Sequence, residues 1–189
     1  MEDFIMSKKW MIASDLHGSA HYCRLLLERF EEEKADRLIF LGDLLYHGPR
    51  NDLPKEYDTK AVTKLLNGVK DKLLCVKGNC DSEVDQMVLE FPMLAEYAVL
   101  PVGDRLCYLV HGHNYGPDKL PPMSAGDLLI SGHIHIPVCR EQDGVWLLNP
   151  GSVSLPKENT PHSYLMLENH SFSWKNVETG ESFKQWDVV

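Results

Sequence analysis

The first 76 residues alternate between short apolar runs and longer amphipathic ones, and this order limits the fold more than any other feature of the chain. Trp10-Met11-Ile12-Ala13 reads as a short buried strand. From residue 20 to 34 the spacing turns helical, with Tyr22, Leu25, Leu26 and Phe30 on one face and Glu31, Glu32 and Glu33 solvated. Residues 38–41 predict a second strand. Residues 59–70 predict a second helix with Val62, Leu65, Leu66 and Val69 apolar, and residues 73–76 a third strand. Strand, helix, strand, helix, strand predicts a parallel sheet built by right-handed crossovers.

After Pro92 the pattern changes. Val102-Gly103-Asp104-Arg105 lies between two apolar runs and reads as a hairpin turn. Asp143-Gly144 is a second hairpin signal, and residues 164–167 with 171–174 look like a third. The expectation is an α/β (α+β) chain with a mixed first half and a β-rich second half. With 189 residues it is long enough for one sizeable core and short for two, so one domain is expected over residues 1–189.

The polar residues that close each apolar run are the second constraint. The first run ends on Asp15 and His17, the second on Gly42-Asp43, the third on Gly78-Asn79. Residues 106–110 lead into His111-Gly112-His113, and residues 128–130 into Gly132-His133 and His135. In open α/β sheets, binding sites form outside the carboxyl ends of the strands. Asp and Asn often cap loops, but histidine is not a favoured cap, and here it recurs at three strand ends. Carboxylates suit hard cations and imidazole suits transition metals, so a mixed oxygen and nitrogen set accepts Mn2+, Fe2+, Co2+, Ni2+ or Zn2+. The side chains are too many for one catalytic ion, which keeps about three protein ligands, and suit two ions sharing a carboxylate. In an extended segment, residues i and i+2 point the same way, which would let Asp15 with His17, and His133 with His135, reach one site. The glycines before the ligands are expected at sharp turns with positive φ.

Charge and cysteine content narrow the class. A net charge of -9 disfavours nucleic acid, whose backbone recruits Lys and Arg clusters. It leaves room for a small anionic substrate, because bound cations invert the local sign of a site. Five scattered cysteines without a CxxC fit a reducing compartment, with Cys75 and Cys107 buried in apolar runs. The N-terminal MEDFIMSKKW lacks the apolar core of an export signal, and no apolar stretch reaches the ~18 residues of a membrane span. A cytoplasmic protein is expected, with no membrane partner. Exposed C-terminal edge strands would allow a homo-oligomer.

The stretches SDLHG, LGD, GNCD, HGH, SGHIH and LNPGS, in this order, resemble the calcineurin-like metallophosphoesterase superfamily. The longer stretches HGPRNDLP and GNCDSEVDQM are similar to its small bacterial YfcE-type phosphodiesterase branch. The resemblance implies a β-sandwich of mixed sheets flanked by helices. It implies one metal held by Asp15, His17, Asp43 and His135, and a second by Asp43, Asn79, His111 and His133, with Asp43 bridging and Mn2+ the first choice of ion. It also implies hydrolysis of small phosphodiesters by metal-activated water. The alternatives are phosphomonoester hydrolysis at the same site and a non-catalytic metal-binding interaction scaffold, as in the retromer subunit that resembles these enzymes.

Many superfamily members carry GNH, whose histidine protonates the leaving group. Here Cys80 stands in its place, a poorer donor whose presence favours substrates with good leaving groups. His113 matches the second histidine of HGH, beside the ligands. Together with Cys80, Arg50 and His113 are the candidate catalytic or substrate-contacting groups, and His47 is a further substrate contact. Asp81 or Ser82 is expected to cap a helix just after them. Asn149-Pro-Gly-Ser152 is expected to pack near the site. Trp146, Trp174 and Trp186 are assigned to the sandwich core or edge, and His21, His162 and His170 to the surface.

Overall fold

The computed structural model describes residues 8–188. The stretch 1–7, which makes up most of the segment tested for an export signal, lies outside the described residues. In chain order the elements are β1 (Lys9–Ala13), α1 (Ala20–Glu32), β2 (Arg37–Phe40), α2 (Thr59–Asn67), a 3-10 turn (Lys70–Lys72), β3 (Leu73–Cys75) and α3 (Glu83–Gln86). Next come β4 (Tyr97–Val102), β5 (Arg105–Val110), β6 (Leu128–Ser131), β7 (Pro137–Gln142), β8 (Val145–Pro150), β9 (Ser163–Glu168), β10 (Ser171–Asn176) and β11 (Ser182–Asp187). The strand β11 has no counterpart in the sequence reading. Its residues are mostly exposed, so no apolar alternation announced it.

The strands form two sheets, in the orders β11-β10-β9-β1-β2-β3 and β4-β5-β6-β8-β7. In the first, β1, β2 and β3 run parallel, as the crossovers require, and β9 joins β1 antiparallel. In the second, β5, β6 and β8 run parallel between two antiparallel edges. This is the mixed-sheet α/β sandwich expected.

Both faces of the central strands are covered, which explains why they read as continuous apolar runs rather than alternating ones. Within β1, Met11 and Ala13 pack against Cys23, Leu26 and Phe30 of α1. Ile12 points the other way, into a core between the sheets with Ile39, Ile130, Leu148 and Trp174. Beyond the second sheet, Leu129 and Leu147 are covered by Tyr115, Leu120 and Met123 from a loop rather than a helix.

The tryptophans behave as expected: Trp174 is fully buried, and the Trp146 and Trp186 rings lie 4.5 Å apart. Trp174 Nε1 donates to the Asn149 carbonyl at 2.7 Å, pinning β8 across the core. In Trp174→Phe that buried carbonyl loses its donor, which costs about 1–2 kcal/mol. Thermal denaturation should show a melting temperature roughly 2–8 °C lower. His162 departs from the surface assignment. It is half-buried, stacked on Tyr22 with ring centroids 3.9 Å apart, and its Nε2 meets the Tyr22 hydroxyl at 2.8 Å.

Candidate metal centre

The carboxyl ends of β1, β2, β3, β5 and β6 deliver their loops to one edge of the sandwich. The loop after β1 continues to pair with the loop after β2, with Asp15 N–H donating to the Gly42 carbonyl and His17 N–H to that of Asp43. Across the sheets, His133 N–H donates to Asp15 Oδ2 at 3.0 Å, and Gly132 N–H to the His111 carbonyl at 2.8 Å. Residues 118 positions apart are thus tied together through main-chain donors before any ligand group is considered.

The way the ligand pairs converge differs from the expectation. Asp15, His17, Asp43, His133 and His135 all have left-handed backbone, with φ between 49° and 68°. They lie beyond the ends of β1, β2 and β6, so the i, i+2 pairs meet through alternating turns and not through strand pleating. A non-glycine residue at positive φ carries a strain of about 1–3 kcal/mol, and such residues gather at functional sites.

The glycines also act differently. Gly42 and Gly112 do have positive φ. Gly78 and Gly132 do not, and they are needed for close approach. A Cβ on Gly78 would lie 2.1 Å from Asp43 Oδ1, and one on Gly132 would lie 1.9 Å from Ser14 Oγ and 2.8 Å from Asp15 Oδ2. Gly132→Ala is expected to lose about 2 kcal/mol of stability through this overlap. It should also loosen metal retention, read by equilibrium dialysis, because the added methyl displaces Ser14 and, beside it, Asp15.

The side chains form two groups that share an atom. In the first, His17 Nε2 lies 3.2 Å from His135 Nε2, and Asp15 Oδ1 lies 3.7 Å and 3.2 Å from those two nitrogens. In the second, His111 Nε2 lies 2.9 Å from Asn79 Oδ1 and 3.3 Å from His133 Nδ1. Asp43 Oδ2 reaches both, 3.7 Å from His17 Nε2 and 3.4 Å from His111 Nε2. Donor atoms around one ion at metal–ligand distances of about 2.1 Å stand roughly 3–3.5 Å apart, close to the spacing in both groups.

The hydrogen bonds behind the rings show what the front atoms lack. The Nδ1 atoms of His17, His111 and His135 face the carbonyls of Tyr46, Leu41 and Leu155 at 2.8, 2.7 and 2.7 Å. A carbonyl only accepts, so each Nδ1 carries the ring proton and each Nε2 presents a lone pair to the cluster. Asn79 Nδ2 donates to Cys80 Sγ, which turns Oδ1 toward His111. Acceptors therefore face acceptors at about 3 Å. Asp15 Oδ1, fully buried, has no hydrogen-bond donor of its own. Such an arrangement suits cations between its lone pairs, and the residues present fit two of them.

In the absence of a cation, the carboxylates draw protons toward the same imidazoles. Burial opposes ionisation of Asp15, yet the neighbouring imidazoles of His135 and His17 outweigh it and hold the carboxyl well below the usual carboxylate range. Burial likewise opposes a proton on His17, and the Asp15 carboxylate overcomes it and raises that pKa. Burial and the neighbouring His111 push the pKa values of His133 and His113 down.

Cys80 lies nearer the cluster than the sequence suggested. Its thiol joins His17 and Asp43 in a third potential ligand triad, although no sulfur ligand was expected. Burial and the Asp43 charge push the thiol up to about 12, so it stays protonated. Arg50 and Cys80 line the same cavity of about 420 Å3 as His17, Asp43 and His133. His113 is exposed, its ring 5.3 Å from that of His111. His47 packs edge-on against Tyr46 and Tyr57 with its Nδ1 buried and unpartnered, turned into an aromatic cluster beside the cavity.

One support of the site, from Asp81, was not foreseen, while the one from Asn149 and Ser152 was expected. Asp81 accepts from the N–H groups of Asp43, Leu44 and Gly78 at 2.8, 2.9 and 2.7 Å, tying the loops after β2 and β3 together. Of the two candidate caps of α3, Ser82 takes the position, in a capping box with Asp85. Asn149 Nδ2 donates to the Gly132 carbonyl, and Ser152 and Ser154 hydroxyls donate to that of Asp15.

A mixed-sheet sandwich that gathers three overlapping candidate metal triads at the ends of its parallel strands has the build of a metallophosphoesterase. The calcineurin-like phosphoesterase superfamily domain matches residues 9–171, and the chain belongs to that superfamily. It is 46% identical over 165 residues to "Phosphodiesterase YfcE" of Escherichia coli strain K12, covering 87% of this chain and 90% of the relative. The solved structure of that E. coli phosphoesterase superposes with a TM-score of 0.92 at 42% identity, over 96% of this chain and 100% of the other. A Zn2+ complex of Vps29 from Entamoeba histolytica, 21% identical with a TM-score of 0.61 and covering 96% and 99%, shares the fold.

Proposed function

We propose that the chain is a metal-dependent phosphodiesterase that hydrolyses small phosphodiesters at a dinuclear centre. The observation that carries it is the shared Asp43 Oδ2, which belongs to both groups of lone pairs. Asp15, His17, Asp43 and His135 would hold one ion, and Asp43, Asn79, His111 and His133 the other. The mixed oxygen and nitrogen donor set suits Mn2+. Bound divalent ions supply Lewis acidity toward phosphoryl oxygens and water that deprotonates near neutral pH.

The remaining work falls to the chain itself. Arg50, on the cavity wall, would hold an anionic oxygen of the substrate, a task its planar guanidinium suits. Cys80 is a weak acid with its thiol near 12, so leaving groups that need little protonation are preferred. His113 stands beside the second group and acts through the substrate or through its neighbour His111. Among the described residues no helix is long and apolar enough to cross a membrane. The five cysteines are free, which supports a cytoplasmic location.

The test is hydrolysis of bis-p-nitrophenyl phosphate beside p-nitrophenyl phosphate, with protein stripped by chelator and refilled with Mn2+. The diester should be cleaved only after refilling and faster than the monoester. Faster monoester cleavage would move the assignment to a phosphomonoesterase, and no cleavage with any of the five metals would favour the scaffold.

A further inference from the structure

Lys157 lines the cavity of the candidate metal centre together with Arg50. It comes from a different part of the chain, the loop between β8 and β9, and no sequence motif pointed to it. A lysine on an exposed loop is ordinarily loose, but this one has a fixed base. Its N–H donates to the carbonyl of His135 at 3.2 Å. Its own carbonyl accepts from Thr160 twice, from N–H at 3.1 Å and from the hydroxyl at 2.7 Å. Two residues upstream, the Leu155 carbonyl takes the His135 Nδ1 proton at 2.7 Å. The loop that carries Lys157 is thus bolted to a proposed metal ligand through both its main chain and its ring.

Arg50 and Lys157 are the only Lys or Arg side chains that line this cavity among the described residues. The chain carries 28 acidic residues against 19 Lys and Arg. Lys9, Arg24, Arg29, Lys70, Lys77 and Lys175 each pair with an acidic side chain away from the cavity. Among the described residues, neither Arg50 nor Lys157 enters an ion pair, and both line the cavity. The carboxylates among the proposed ligands are only Asp15 and Asp43, so two divalent ions would leave the centre cationic by about two charges, one of which the metal-activated hydroxide offsets. A simple phosphodiester brings one negative charge. Arg50 and Lys157 add two positive charges that such a substrate leaves unanswered.

We infer that Lys157, with Arg50, forms an anion subsite, and that the preferred substrate is a phosphodiester that also carries a phosphomonoester. A phosphomonoester brings about -1.5 to -2 charges at neutral pH and matches the surplus. This rests on the phosphodiesterase reading of the same centre and adds the substrate class.

The test compares two probes on the Mn2+-loaded enzyme: the p-nitrophenyl phosphodiester of thymidine, and the same diester phosphorylated on the remaining sugar hydroxyl. The phosphorylated probe is expected to have a kcat/KM about tenfold higher, mainly through KM. In Lys157→Ala that preference should fall close to one, and Lys157→Arg should restore most of it. Binding gives a readout independent of turnover. By calorimetry, adenosine bisphosphate should bind the wild type about tenfold more tightly than AMP, with the difference lost in Lys157→Ala and reduced by salt. Equal turnover of the two probes, or a preference that survives Lys157→Ala, would overturn the subsite and leave the diesterase intact. No turnover of either probe would overturn the diesterase reading itself.

Discussion

Asp43→Asn is expected to abolish metal-dependent diester hydrolysis while leaving the protein folded. One oxygen of Asp43 reaches both His17 and His111, and the other accepts the Cys80 N–H at 2.8 Å. An asparagine keeps the shape of the group, and its carbonyl oxygen can still accept from Cys80. What it loses is the negative charge that two cations would share, together with one lone-pair donor. Weakening a centre that lends several kcal/mol to the transition state lowers kcat/KM by about 10³-fold. Circular dichroism should show native secondary structure and a melting temperature near that of the wild type without added metal. A variant that keeps more than about a tenth of the activity, a loss of under ~1.4 kcal/mol, would mean that Asp43 does not bridge.

Asp81→Ala has the largest expected effect on stability. Asp81 is 5% exposed, and its two oxygens serve three buried or nearly buried backbone N–H groups. Oδ2 takes those of Asp43 and Gly78, and Oδ1 takes that of Leu44. Each donor left without an acceptor costs about 1–3 kcal/mol, and water entering the gap recovers part of it. The net loss should be about 3–5 kcal/mol, seen as a melting temperature lower by roughly 6–20 °C. Asp81→Asn recovers part of it, because an amide oxygen in the place of Oδ2 keeps two of the bonds while the amide nitrogen faces the Leu44 N–H as donor to donor. The bond to Asp43 adds a second signature: metal binding weakens in the variants that remain folded. A stability loss under about 1 kcal/mol would show that the three N–H groups find other partners.

The sequence made the centre more legible than the supports around it. Asp15, His17, Asp43, Asn79, His111, His133 and His135 come after apolar runs that are largely buried, so their strand ends can be read from hydrophobicity alone. Each has a side-chain type that suits a cation. Asp81 and Lys157 are different. Asp81 binds backbone N–H groups, and backbone partners leave no mark on the sequence that supplies them. Lys157 enters the cavity through a loop whose path is set by the His135 carbonyl, a long-range contact with no local pattern.

The glycines show the same limit. Gly42 and Gly132 look alike beside their ligands, yet Gly42 supplies both positive φ and room for the Gly78 backbone, and Gly132 supplies absent volume alone. Their backbone angles and the neighbours each would strike tell them apart. The left-handed backbone at five of the proposed ligands was equally unreadable, because strand pleating and alternating turns both bring i and i+2 side chains together. The exposed strand β11 was missed because its side chains bury too little to show a period.

The central claim is that two ions act together through Asp43. The most direct measurement is a titration of chelator-stripped protein with Mn2+, tracking bound metal and hydrolysis of bis-p-nitrophenyl phosphate on the same samples. The dinuclear account predicts two ions bound per chain, with activity rising as the second equivalent fills. Full activity at one equivalent, or activity that persists in the stripped protein, would contradict it.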